Sequence, residues 1–285
     1  MPNYITNVIY VKNNKEVLKH LVKKNEEGVV DIDFNIVKPM PKDLMINSGS
    51  DSFIVESKYS FEIDKADLQK KTILPVLDKI YDNTITQDEF LSKVKEIWPK
   101  VKSKFKKVYG FYKSDEFKDY ETALKGYFNY KRYGYKDWYD WSIANWGTKW
   151  NGSNFQAYKL NGNRKVISFE TAWSCPVEYL IELSKVIKEP MLITYADEDI
   201  GHNYGILRIE NGEVEEILTP ENTSAGEALA CRGEDRECVD DYYGLDNYTD
   251  DEISEYFDGK SREELVDELV ADYDKATTLL DNLFK

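Results

Sequence analysis

Two Asn-Gly pairs, Asn161-Gly162 and Asn211-Gly212, each stand between two runs that read as strands. Phe155 to Leu160 and Val166 to Thr171 flank the first pair; Tyr204 to Glu210 and Val214 to Leu218 flank the second. Asn-Gly accepts positive φ at both central positions of a tight turn, and the twist of that turn matches paired antiparallel strands. Two such turns commit the second half of the chain to antiparallel pairing. In the strand after the first turn, Val166, Ser168 and Glu170 share one face and Ile167, Phe169 and Thr171 the other. Between the hairpins, Pro176 starts a helix with Tyr179, Leu180, Leu183 and Val186 inward, and Met191 to Ala196 reads as a further strand.

The N-terminal part has its own pattern. Residues 4–12 alternate as a strand, and Asn13-Asn14 turns the chain. Lys15 to Lys24 carries Val17, Leu18, Leu21 and Val22 at helical spacing. Val29 to Val37 reads as a second strand with Val30, Ile32, Phe34 and Ile36 on one face, stopped by Pro39 and Pro41. The start is therefore β-α-β. The middle of the chain reads differently. After a loop at Asn47 to Ser50 and a short strand candidate at Phe53 to Val55, helical spacing begins at Asp64 and continues through Leu68, Ile73, Leu74, Leu77, Ile80 and Tyr81, with Pro75 as a break or kink. Thr86 to Glu89 resembles a cap and an acidic first turn for a helix that carries Phe90, Leu91, Val94 and Ile97, with Pro99 near its end. Asp119 to Tyr130 and Asp137 to Asn145 read as two more helices, the second ended by Gly147 and bringing Trp138, Trp141 and Asn145 to one face. The expected fold class is α+β: an antiparallel sheet with helices on one face, a helical insertion and an acidic helical C-terminal tail.

Five of the six Trp lie between Asp137 and Gly201. That block and the N-terminus together carry a resemblance. The segments are Pro2-Asn3-Tyr4 with Thr6, Asn7, Ile9 and Val11; Phe34-Asn35 followed by Pro39-Met40-Pro41; and Trp141-Ser142-Ile143 with Asn145-Trp146-Gly147-Thr148-Lys149-Trp150. They continue with Phe169, Thr171-Ala172-Trp173-Ser174 and Pro176, and end in Tyr195-Ala196-Asp197-Glu198-Asp199 with Gly201. In this order they resemble the YubB/Api92-like ferredoxin-like domain family of phage and plasmid proteins. The resemblance covers roughly residues 1–45 and 135–220. It implies a ferredoxin-like core over those residues, and it implies no particular biochemical activity. Residues 46–134 are then a mainly helical insertion, and 221–285 an acidic helical C-terminal region.

The charge is −15 overall and uneven. Arg232 to Lys285 holds 18 Asp/Glu against 6 Lys/Arg, while Lys65 to Lys136 holds 17 Lys/Arg against 10 Asp/Glu. Such asymmetry concerns partners and solubility rather than fold. It fits two solvated helical faces, or a tail that imitates nucleic acid or docks on a basic surface. Thr249 to Glu252 and Ser261 to Glu264 read as capped helix starts, the latter followed by an apolar stripe of Leu265, Leu269, Tyr273, Leu279, Leu280 and Leu283. No run approaches the length of about 18 apolar residues that a span requires. The N-terminus lacks the basic and apolar regions of a secretion signal. Three cysteines, Cys175, Cys231 and Cys238, form no metal-ligand pattern and read as reduced thiols, with a Cys231–Cys238 pair as the alternative, so a host bacterial cytoplasm is the expected compartment.

Candidate chemistry is sparse. No phosphate-binding glycine loop, dinucleotide fingerprint or nucleophile elbow is present. With two His in the chain, a multi-His metal site is excluded. Asp197, Glu198 and Asp199 beside His202 offer oxygen ligands without the spacing of a calcium loop; the alternative is carboxylates that cap a strand end and face water. Trp141, Trp146, Trp150 and Trp173 suit base or sugar stacking, or a core that fastens helix to sheet. Lys100, Lys102, Lys104, Lys106 and Lys107 alternate with apolar residues and suit phosphate contact, or a solvated amphipathic face.

The expectation is a non-enzymatic phage or mobile-element accessory protein, without cofactor or metal. It would bind a host protein complex through acidic and aromatic surfaces and inhibit a bacterial defence system. The candidate interaction residues are the four Trp above, Asp197, Glu198 and Asp199, and in the tail Asp240, Asp241, Asp250 and Asp251. The alternative is a nucleic-acid-binding accessory protein that uses the five lysines. A hydrolase built on Asp197, Glu198 and His202 is a third reading. No membrane partner is expected, and a homo-oligomer stays open.

Overall fold

The computed structural model describes residues 3–48, 74–108, 116–159, 165–198, 203–218, 247–256 and 258–265, with single positions at 267, 278 and 282. The chain divides into two compact units, residues 1–39 with 144–285, and residues 40–143.

The first unit is built on a six-stranded antiparallel sheet in the order β4-β5-β1-β6-β7-β8. Its strands are β1 (Tyr4–Tyr10), β4 (Ser153–Lys159), β5 (Lys165–Ala172), β6 (Met191–Asp197), β7 (Gly205–Glu210) and β8 (Glu213–Leu218). β1 lies between β5 and β6 and is antiparallel to both, so those two strands run parallel to each other. The helix between them in sequence, α6 (Val177–Ile187), completes a split β-α-β unit, the ferredoxin-like signature. Both expected hairpins form. Asn211 and Gly212 have φ of 51° and 89°, and Glu210 pairs with Glu213 across them. β4 and β5 pair up to Lys159 and Lys165, while the turn at Asn161-Gly162 lies outside the described residues.

Helix α1 (Asn14–Leu21) and the Val177–Ile187 helix cover one face of this sheet. That face presents Ile5 and Ile9 of β1, Ile167 and Phe169 of β5, Ile193 of β6, and Leu207 and Ile209 of β7, all buried. The opposite face is buried too at Val8, Val166, Leu192, Thr194, Ala196 and Ile206. Apolar residues at consecutive positions, as in Val8 to Val11, fit a central strand covered on both sides.

Two readings of the N-terminal segment are corrected. The helix expected to reach Lys24 stops at Leu21, and Val22–Lys24 becomes a short strand, β2, paired with β3 (Val30–Ile32) in a separate two-stranded ribbon. The reason is the tight turn between them, where the Asn25 side chain accepts from Val29 N–H and Gly28 takes a φ of 85°. The strand expected over Val29 to Val37 breaks after Ile32 because Asp33 accepts from Asn35 N–H and curls residues 34–36 into a 3-10 turn. Phe34 thereby leaves the strand register and enters the core. It stacks on Tyr179 at 4.2 Å and meets Trp146 at 5.7 Å and Phe169 at 6.1 Å edge-on. The helix after Pro176 is also corrected in one position: Ile187 is buried, whereas Val186 is 43% exposed. Ser184 takes the inward place, accepting from Gly212 N–H at 2.8 Å and so tying the β7–β8 turn to the helix.

The second unit is helical: α2 (Leu74–Ile80), α3 (Gln87–Val108), α4 (Glu121–Tyr133) and most of α5 (Trp138–Trp146). Its core joins Leu77, Phe90, Leu91, Val94, Trp98, Val101, Tyr120, Leu124, Tyr127 and Phe128. Thr86 and Glu89 form the reciprocal capping box, each side chain accepting from the other's N–H. Pro75 sits in the first turn of α2, where its missing N–H has no intrahelical role. Pro99 does not lie near the end of α3; the helix runs through it to Val108. Pro99 is exposed while Trp98 and Val101 are buried on either side of it, so core packing on the other face outweighs the roughly 3 kcal/mol of an internal proline. The strand candidate at Phe53 to Val55 and the helical spacing from Asp64 to Ile73 lie outside the described residues.

Candidate interaction site

At one end of the sheet, the loop after α5 is fastened to the end of β5. Gly147 closes α5 with a φ of 79°, and a Cβ there would stand 2.0 Å from Glu178 Oε2 and 3.1 Å from Val177 N. The Gly147 carbonyl accepts from the Ser174 hydroxyl, and the Thr148 hydroxyl donates to the Ala172 carbonyl at 2.7 Å. Three residues on, Asn151 Oδ1 accepts from Phe34 N–H at 2.8 Å. Lys149 and Trp150 lie between these two anchors and face outward.

Trp173 follows β5 in the left-handed region, with φ of 74°. For a residue with a Cβ this conformation costs about 1–2 kcal/mol. Hydrogen bonds on both sides hold it. Its N–H donates to the Asn3 carbonyl at 2.9 Å, and its carbonyl accepts from Asn203 Nδ2 at 3.0 Å. Beneath it, Thr171 donates to the Ser174 carbonyl and accepts from the buried Asn7 amide, both at 2.8 Å. The result aims an indole out of the sheet end at 40% exposure. Lys149 Nζ lies 4.3 Å from the centre of that ring and 4.4 Å from that of Trp150, itself 39% exposed.

The four Trp candidates thus separate into two pairs. Trp141 and Trp146 are buried, at 6% and 5% exposure, and Trp146 Nε1 donates to the Lys38 carbonyl at 2.9 Å. Trp150 and Trp173 form the exposed corner. The carboxylates separate as well. Asp197 does not face water; it is 5% exposed and accepts from Asn3 Nδ2 at 3.3 Å and Asn203 Nδ2 at 3.5 Å. It links β6 to the segments that hold Trp173. Glu198 is exposed, and its N–H continues the ladder to the Tyr4 carbonyl. Asp250 and Asp251 open the short helix α7 (Asp250–Tyr256) on an exposed face, capped by Thr249 and Glu252, with Arg262 Nε 3.2 Å from Asp250. The Ser261–Glu264 capping box forms, and Leu265 is buried. Asp199, His202, Asp240 and Asp241, and the apolar stripe from Leu269 onward, lie outside the described residues.

Lys100 and Lys102 belong to α3, as do the backbones of Lys104, Lys106 and Lys107, whose side chains lie outside the described residues. At 3.6 residues per turn, positions 100, 104 and 107 form one row and 102 and 106 another, on either side of the buried Val94–Trp98–Val101 row. Cys175 is buried, and that burial, with Glu178 nearby, pushes its thiol far above the usual range, so it is no nucleophile. Cys231 and Cys238 lie outside the described residues. Among the described residues, no three His, Cys, Asp or Glu gather as a metal site, and no helix is long and apolar enough to cross a membrane. A cleft of about 380 Å³ at the β7–β8 turn is lined by Arg208, Glu210, Asn211, Glu213, Val214 and Glu215, with the guanidinium paired to Glu210 and Glu215.

The strain at Trp173 is measurable. Trp173→Gly is expected to be about 1 kcal/mol more stable than Trp173→Ala, because only glycine occupies this backbone region without penalty. Urea midpoints of the two variants test it; an alanine variant as stable as the glycine one would show that the backbone there carries no strain.

A split β-α-β sheet with an aromatic corner at one end defines an α+β protein of ferredoxin-like class. Residues 145–240 match the family model described as the ferredoxin-like domain in Api92-like protein. The chain is also similar to the crystal structure of protein api92 from Yersinia pseudotuberculosis, at 13% identity over 77% of this chain and 99% of that one, with a TM-score of 0.32. No curated protein matches it.

Proposed function

We propose that this chain is a non-enzymatic binding protein that docks on a protein partner through the corner of Trp150, Lys149 and Trp173. The observation that carries this reading is the placement of two indoles, each about two-fifths exposed, on a frame of hydrogen bonds that holds Trp173 in an unfavourable backbone conformation. Strained residues persist where their surroundings over-determine them, and such places cluster at functional sites. Trp is the residue type most enriched among those that dominate interface energies. The acidic residues from Arg232 onward would steer the encounter with a basic target, as an on-rate effect that salt weakens. The setting suggested by the family resemblance is a phage or mobile-element accessory protein in the bacterial cytoplasm. Its partner would be a host protein complex, and a defence system is the target we favour.

The test is capture from host lysate with the tagged chain, with and without nuclease, comparing wild type with Trp150→Ala/Trp173→Gly. A stoichiometric protein complex that survives nuclease and is lost at least tenfold in the variant is expected. Equal capture by the folded variant would overturn the role of the corner. Recovery of nucleic acid, with protein lost on nuclease treatment, would overturn the docking reading in favour of contact through the α3 lysines.

A further inference from the structure

The corner already holds a cation. We infer that the Trp150–Trp173 pair is a cation-recognition clamp, filled by Lys149 in the free protein and taken over by a guanidinium or ammonium of the docked partner. This deepens the docking reading and rests on it for the source of the incoming cation; the clamp itself does not need the partner.

Three observations support it. First, the Lys149 ammonium is 4.3 and 4.4 Å from the two ring centres, well inside the roughly 6 Å over which a ring face attracts a cation. One ammonium therefore reaches both rings at once. Second, the frame does not depend on Lys149. Trp173 is placed by Asn3 and Asn203 through its own backbone, and the loop bearing Trp150 is fixed by Thr148 and Asn151 on either side of Lys149. The lysine is the long, water-compatible member of the cluster, so it can swing out while the rings stay. Third, charge favours a basic occupant. The chain is −15 overall, and the exposed carboxylate of Glu198 follows Asp197, which shares the Asn203 amide with the Trp173 carbonyl. An anionic ligand would approach against that charge.

The probe is the tetramethylammonium ion, titrated against sodium chloride at matched ionic strength and followed by the indole N–H signals of the six Trp in two-dimensional NMR. In Lys149→Ala, two indole signals should move saturably, with an apparent affinity about two- to fivefold above wild type, the factor that displacing a cation–π contact of ordinary strength at an exposed site is worth. Both shifts should vanish in Lys149→Ala/Trp150→Ala and in Lys149→Ala/Trp173→Gly. The second of these relieves the backbone rather than straining it, so loss of folding cannot mimic the result. Equal affinity in wild type and Lys149→Ala, a non-saturable response, or shifts that survive either double variant would overturn the clamp. The two proposals fail separately. Trp-dependent capture from lysate without cation binding would leave docking standing and remove the clamp. Cation binding with Trp-independent capture would do the reverse.

Discussion

Phe34→Ala is expected to destabilise the sheet unit by about 3–5 kcal/mol, the range for removing a fully buried aromatic side chain. Phe34 has no exposed surface and is the ring at which three elements meet: Tyr179 from the helix between β5 and β6, Trp146 from the end of α5, and Phe169 from β5. Alanine would leave a void bounded by three rings, two of which cannot collapse into it without breaking a hydrogen bond. Trp146 is tied to the Lys38 carbonyl and Tyr179 OH donates to the His20 carbonyl at 2.7 Å. Aromatic pairs of this geometry add about 0.5–1.5 kcal/mol beyond burial, so the loss should sit in the upper part of the range. Phe34→Leu should recover more than half of it. Denaturant melts followed by near-ultraviolet circular dichroism would read both. A Phe34→Ala loss under about 1.5 kcal/mol would mean that the cluster is not the centre of this core.

The parts of the fold that were legible in the sequence are those whose cause is local. Asn211-Gly212 turns because of its own backbone preferences, and Thr249 and Ser261 cap because the acceptor and the acidic residue lie three positions apart. Where a distant partner decides, the sequence pattern misleads. Ile32 and Phe34 share a period of two, yet one pairs in a ribbon and the other enters an aromatic core across the helix. Pro99 marks an expected helix end that the buried row on the opposite side of α3 overrides. The candidate site was half legible. Its two outward indoles stand among the four Trp picked out by composition, but nothing local separates Trp146 from Trp150; the turn at Gly147 sends one inward and the other to solvent. Lys149 was missed as a site residue. It neighbours Trp150 in sequence, and its second ring, 24 positions later, arrives because Gly147 and Thr148 bind the chain at the end of β5. Asp197 looked solvated because its two amide partners, Asn3 and Asn203, come from other strand ends.

In the helical unit, Asn129→Asp should cost about 3–5 kcal/mol although it changes one atom. Asn129 is fully buried on α4. Its Nδ2 donates to the Asp43 carbonyl at 2.8 Å and the Lys136 carbonyl at 2.9 Å, while its Oδ1 accepts from Gln87 Nε2 at 2.7 Å. One amide thus joins a 3-10 turn, the start of α3 and the segment that leads into α5. Aspartate keeps the shape and the Gln87 contact but removes both donors, turning an oxygen toward two carbonyl oxygens. Each buried group left unmet costs about 1–3 kcal/mol, and a charge raises that. The cost should also depend on pH in a fixed direction. Burial among acceptors disfavours the carboxylate, so the introduced acid would titrate above its unfolded value of about 3.9. Its neutral form regains one O–H donor and restores one of the two bonds. The gap to wild type should therefore be smallest below the unfolded pKa and widen as pH rises through the folded one. Urea melts of both proteins across that window would show it. A gap that does not change with pH would mean that the side chain has turned out to water, and that the network rather than its charge state is what the substitution removes.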